Sequence, residues 1–161
     1  EEIESLESKV ERTERRLVSK FNEQMETVLD VLGYGNVERI WLERRASADD
    51  EASFDLHIVR EGAEGVYECR LEHLSESERT VTGLVVALTG YLVHDVAEAC
   101  PLVLIDSIET IDGARIAALL EYLSARTKYL LVALLPDDRK AVCAAEEIDE
   151  TVLEFGADDR E

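Results

Sequence analysis

Leu74 to Asp112 is the stretch that decides the fold: LSESERTVTGLVVALTGYLVHDVAEAC over residues 74–100, then PLVLIDSIETID over 101–112. After Ser75, apolar residues fall at Val81, Leu84, Val85, Leu88, Leu92 and Val96, the three-and-four spacing of one buried helix face. Pro101 ends any helix that reaches it, and Leu102-Val103-Leu104-Ile105 is short and apolar enough for a fully buried parallel strand. Asp106 follows at the carboxyl end, where open α/β sheets hold their ligands. A buried strand that delivers an Asp to a loop is one way to hold Mg²⁺ beside a nucleotide.

Downstream, Asp112 precedes a second helix with Ile116, Leu119, Leu120 and Leu123 on one face. Tyr129 to Leu134 reads as another apolar strand, ended by Leu135-Pro136-Asp137-Asp138. A short helix through Ala141, Val142 and Ala145 and a strand near Thr151–Phe155 complete an alternation that predicts a parallel βαβ sheet. Upstream the grammar differs. Ile3, Leu6, Val10, Thr13 and Leu17 step in a coiled-coil rhythm, and Phe21, Met25, Val28, Leu29 and Leu32 continue it after a phase shift. An ordinary amphipathic helix would show much the same pattern. Gly33-Tyr34-Gly35-Asn36 breaks that helix. Three strands follow: Val37–Glu43, a stretch in which Phe54, Leu56 and Ile58 alternate with polar residues, and one in which Tyr67, Cys69 and Leu71 do. Short loops between them, Ser47–Glu51 and Gly62–Gly65, predict an antiparallel meander.

The 161 residues allow one domain with a real core, and their 46% hydrophobic content suits a soluble globular chain. No apolar run approaches the roughly 18 residues of a membrane span, and the acidic start EEIESLESKV is not a secretory signal. The net charge is −20, and lysine occurs only at Lys9, Lys20, Lys128 and Lys140. Such a surface suits a salt-adapted cytoplasm, where ions screen its self-repulsion. It should not attract free nucleic acid. Cys69, Cys100 and Cys143 are odd in number and widely spaced, which supports neither a disulfide framework nor a zinc site. His57, His73 and His94 are isolated in the sequence and form no catalytic pattern.

LSESERTVTGL resembles the signature motif of ABC-type ATPase heads in the variant of SMC (structural maintenance of chromosomes) proteins, usually LSGGEKTLTAL. Leu74, Ser75, Glu78, Thr80, Thr82 and Leu84 match it, with Arg79 for Lys. LVLID resembles the Walker B strand, and Ile111-Asp112 the D-loop. The order of these motifs is similar to the C-terminal lobe of an SMC-like head, in particular the archaea-specific SMC-related group.

The resemblance implies an arm-stub helix at 1–32 and a head lobe at 33–161. It implies ATP and Mg²⁺ as cofactors, nucleotide contacts from Ser75, Ser77, Glu78, Arg79, Asp106 and Asp112, and Asp106 as the metal ligand. Two family glycines stand here as Glu76 and Ser77, adding bulk where backbone approaches a triphosphate. Ser75-x-x-Glu78 also satisfies a capping box, and Asp112 a helix N-cap, without any ligand. The position after Asp106 belongs in the family to the glutamate that acts on water. Here it is Ser107, and Glu109 is the carboxylate nearby that can serve as the catalytic base. No GxxxxGKS/T occurs in these residues. The expected partners are therefore an N-terminal Walker A lobe, a second head, and DNA through the whole assembly. The expected place is the cytoplasm, at the nucleoid, with no membrane. Without its partners the lobe should not hydrolyse ATP. The competing expectation is a non-catalytic coiled-coil interaction module with a degenerate ABC-like fold, toward which Ser107 and Glu76 point.

Overall fold

The computed structural model describes residues 2–46, 52–62 and 65–145. The elements run α1 (Glu2–Leu32), β1 (Val37–Arg45), β2 (Ser53–Gly62), β3 (Gly65–Cys69), α2 (Glu76–Val93), β4 (Leu102–Ile105), α3 (Gly113–Ser124), β5 (Tyr129–Val132) and α4 (Pro136–Ala145). The α/β architecture expected from the sequence is present: an N-terminal helix, an antiparallel sheet ordered β1-β2-β3, and a parallel pair β4-β5. The final strand expected near Thr151–Phe155 and the loop expected at Ser47–Glu51 lie outside the described residues.

The two halves of α1 have different surroundings. Ile3, Leu6 and Val10 are exposed, whereas Met25, Val28, Leu29 and Leu32 are buried in the core. Asn22 fixes the helix to the meander by bonding both ways with one strand residue: its amide donates to the Leu42 carbonyl at 3.0 Å and its oxygen accepts from the Leu42 N–H at 2.7 Å. Arg44 adds an ion pair to Glu14 at 2.8 Å. Gly33, at φ +56°, ends α1, and its amide reaches the carbonyls of Leu29 and Asp30.

The meander buries Val37, Ile40 and Ile58 against the helices. β1 runs to Arg45, two residues beyond the strand read from the sequence, because Arg44 and Arg45 pair with Phe54 and Ser53. The β2–β3 hairpin closes on the Gly62–Gly65 pair, and Gly65 takes φ +117°, a conformation closed to side-chain-bearing residues.

Two sequence expectations are corrected. The long helix α2 ends at Val93, well before Pro101: Asp95 adopts the left-handed region at φ 50° and a 3₁₀ turn covers Val96–Glu98, so Val96 is not on the buried helix face. β4 is not buried on both faces. Val103 and Ile105 point into the core, but Leu102 and Leu104 are 46% and 64% exposed. Tyr129 and Leu131 of β5 are also exposed, which leaves one apolar face of the parallel sheet open. The inner face meets Ile116, Leu119, Leu120 and Leu123 in the common core.

Candidate functional site

Ser75 is the N-cap of α2, and its turn is built as a complete capping box. The Ser75 hydroxyl accepts from the Glu78 amide at 3.4 Å, and the Ser75 amide donates to Glu78 Oε2 at 2.8 Å. Glu78 is 1% exposed and its other oxygen pairs with Arg60 of β2 at 2.6 Å. Burial pushes the Glu78 carboxyl up, but the bonds from Ser75 and the Arg60 charge outweigh it and hold its pKa below the ordinary value. Glu78 is therefore the buried footing of the turn, while Ser75 itself stays on the surface. Arg79 folds back to donate to the Leu74 carbonyl at 3.0 Å, and Leu74 is buried.

Ser77 and Asp112 are joined through residues that the sequence reading did not single out. The Tyr34 and Ser77 hydroxyls lie 2.7 Å apart. The Arg115 guanidinium sits 5.6 Å over the Tyr34 ring and donates to the Gly33 carbonyl at 3.2 Å. It also pairs with Asp112, which caps α3 by accepting from the Arg115 amide. Burial works against the Asp112 charge, yet the Arg115 bonds hold that carboxyl below its usual range. The end of α1, the Ser75 turn and the start of α3 thus form one connected network. The signals in the sequence were an aromatic residue inside a glycine turn and an Arg three residues after a helix-capping Asp.

Asp106 lies at the carboxyl end of β4, exposed, with one oxygen accepting from the Ser107 amide at 2.8 Å. Ser107 takes φ 60°, a left-handed turn that redirects the chain directly after the strand. Buried Ile108 and Ile111 then anchor a tight turn, closed by the Ile111 amide on the Ile108 carbonyl at 2.9 Å, with Glu109 exposed between them. Among the described residues, neither Asp106 nor Glu109 bonds to the Tyr34–Arg115 network. The second Asp106 oxygen has the hard-donor chemistry that Mg²⁺ takes. No described helix is long and apolar enough to cross a membrane.

No family model matches the chain. It is 53% identical over 136 residues to the Smc-like protein Sph3 of Haloferax volcanii, across 80% of this chain and 21% of that protein. It is 47% identical over 153 residues to the Smc-like protein Sph2 of Halobacterium salinarum, across 88% of this chain and 23% of that protein. The Smc-like protein Sph1 of Halobacterium salinarum is 28% identical over 121 residues, across 75% of this chain and 18% of that protein. The chain thus spans about a fifth of the length of these curated relatives. A structure solved under the description "Structural biochemistry of ATP-driven dimerization and DNA stimulated activation of SMC ATPases" matches 94% of this chain and 85% of its own, with TM-score 0.54 and 18% identity. By sequence the chain is a homologue of the Smc-like proteins of halophilic archaea, and its fold matches that of an SMC ATPase head.

Proposed function

We propose that this chain is the C-terminal lobe of an SMC-like ATPase head, residues 33–161, with residues 1–32 as the root of a coiled-coil arm. The observation that carries the proposal is the open apolar face of the β4–β5 pair. Among the described residues, two short parallel strands with Leu102, Leu104, Tyr129 and Leu131 exposed make a fragment of a sheet. A Walker A lobe laid against that face and edge would complete it. The exposed Ile3, Leu6 and Val10 stripe suits a second arm helix in the same way.

In this reading the Ser75 turn offers a helix amino end, the exposed Ser75 hydroxyl and the half-buried Ser77 hydroxyl beside Tyr34 to phosphate oxygens bound on a second head. Asp106 would hold Mg²⁺, which when bound would neutralise developing phosphate charge. Asp112 faces the partner head, and Glu109 orients or deprotonates the attacking water. Head association driven by ATP would move the arms, and DNA would be handled by the whole assembly at the nucleoid, not by this acidic lobe.

A non-catalytic interaction module is the second reading, favoured by Ser107 in the glutamate position and by Glu76 at the helix start. Calorimetry and turnover assays at high KCl separate the two. The lone chain should show no micromolar ATP binding, and the protein carrying both lobes should bind and hydrolyse ATP. ATP binding without turnover in the two-lobed protein would leave the module reading standing.

A further inference from the structure

On the face of the meander turned away from the core, strand alternation and register bring three metal-ligating side chains together. Glu43 of β1 pairs across the sheet with Asp55 of β2, and His57 lies two residues on, paired with Trp41. One ligand atom from each of Glu43, Asp55 and His57 lies within 4.8 Å of the other two. A shift of about an ångström would bring these atoms onto one ion at bonds of roughly 2.0–2.2 Å.

The imidazole is already held as a ligand would be. Its side chain is only 13% exposed, stacked on the Trp41 ring at 4.8 Å between centroids and 11° between planes. Nδ1 lies 2.6 Å from Glu68 Oε1, the carboxylate–histidine arrangement that fixes the tautomer and turns Nε2 outward as a donor to a metal. Nε2 in turn lies 3.2 Å from Glu43 Oε2. Carboxylate oxygens thus flank the ring at both nitrogens. The place is also cation-seeking by another measure: Arg45 Nε reaches both Glu43 and Asp55 at 3.0 Å, so these two carboxylates converge on one cation already. Arg45 is more than half exposed at the end of β1 and can swing away.

We propose that Glu43, Asp55 and His57 form a binding site for a borderline divalent transition ion of the Zn²⁺ class, with Glu68 as the positioning carboxylate on His57 and Arg45 as the built-in competitor. One nitrogen and two oxygens select such an ion over Mg²⁺, which prefers oxygen and keeps its water. The site lies apart from Ser75, Asp106 and Asp112 in the sequence and shares no residue with the ATPase reading, so either can fail alone.

Trp41, the only tryptophan in these 161 residues, reports directly on its stacked neighbour. The chain, checked for folding by circular dichroism at high KCl, is titrated with ZnCl₂ by calorimetry and by Trp41 fluorescence. One Zn²⁺ per chain, a micromolar Kd and a saturable change in Trp41 emission are expected, with no response to MgCl₂ at the same concentrations. His57→Gln should weaken binding at least about tenfold. Arg45→Gln should tighten it severalfold, which a merely structural Arg45 would not do. Glu43→Gln gives the same loss if His57→Gln does not fold. Zn²⁺ binding that survives both ligand substitutions, or that leaves Trp41 emission unchanged, would place the ion on a thiol such as exposed Cys100 and overturn the site. Absence of any binding at millimolar Zn²⁺ would overturn it equally.

Discussion

The Tyr34 hydroxyl lies 2.7 Å from the Ser77 hydroxyl, which ties the turn that closes α1 to the turn that opens α2. A rotation of α1 would therefore be felt at the Ser75 cap. Tyr34→Phe keeps the ring under Arg115 and removes only this bond. It should cost about 1 kcal/mol, a fall in melting temperature of roughly 2–4 °C for a domain of this size. If the proposed head function holds, the same change should weaken ATP-dependent association of the two-lobed protein. Thermal denaturation and gel filtration check the two effects separately.

The Arg60–Glu78 pair underlies the capped turn. Removing Arg60 leaves a buried carboxylate short of its cationic partner. Arg60→Ala should destabilise the chain by about 2–3 kcal/mol, less than a fully enclosed pair because Arg60 keeps some contact with solvent. The Arg60 guanidinium also lies 5.9 Å over the Tyr67 ring, so urea denaturation of Arg60→Ala beside Arg60→Met, which keeps an apolar stem there, separates lost charge from lost contact.

The same pair sets a pH dependence. The Glu78 carboxyl is held below its unfolded value, so its stabilising contribution is complete above that value, about 4.3, and is lost as pH falls through the lower folded one. Glu78→Gln should flatten the acid limb of the stability curve. An unchanged acid limb would show that other carboxylates govern it.

The β4–β5 face was legible in the sequence only as an apolar run. Four consecutive apolar residues say that a strand is surrounded, but not that the surrounding body belongs to the same segment. Leu102 and Leu104 therefore read as buried and prove exposed. Local signals served best where the physics is local: Ser75 and Asp112 cap helices as their sequences predict, and the α2 apolar face is where its spacing puts it. The end of α2 is not legible in the sequence, because Pro101 is only the last residue that could stop it, whereas a left-handed Asp95 follows its end at Val93. Tyr34 and Arg60 are not legible as parts of the site, because their partners are 43 and 18 residues distant in sequence; Arg115 is signalled only by its place three residues after Asp112, and its bond to Gly33 spans 82 residues.

Leu104→Glu on the exposed face should leave the melting temperature of this chain within about 1 °C, since a surface substitution changes little. It should abolish co-purification with the Walker A lobe. Loss of folding in the lone chain, or unchanged co-purification, would remove the support that this face lends to the half-head reading.

A net charge of −20 in a compact body should make folding depend on salt. Circular dichroism should show structure lost as KCl is lowered from molar to millimolar, with part of it restored by Mg²⁺ at far lower concentration than K⁺. A spectrum and melting point independent of KCl would count against salt adaptation.

Turnover of ATP by the two-lobed protein, measured at high KCl for the parent, Asp106→Asn and Glu109→Gln, tests the proposed function most directly. The parent should hydrolyse ATP. Asp106→Asn should abolish hydrolysis through the lost metal ligand, and Glu109→Gln should slow it at least about tenfold, near 1.4 kcal/mol of barrier, while ATP-dependent association survives. Parental rates in both variants would contradict the assignment of this lobe to the chemistry of an ATPase head.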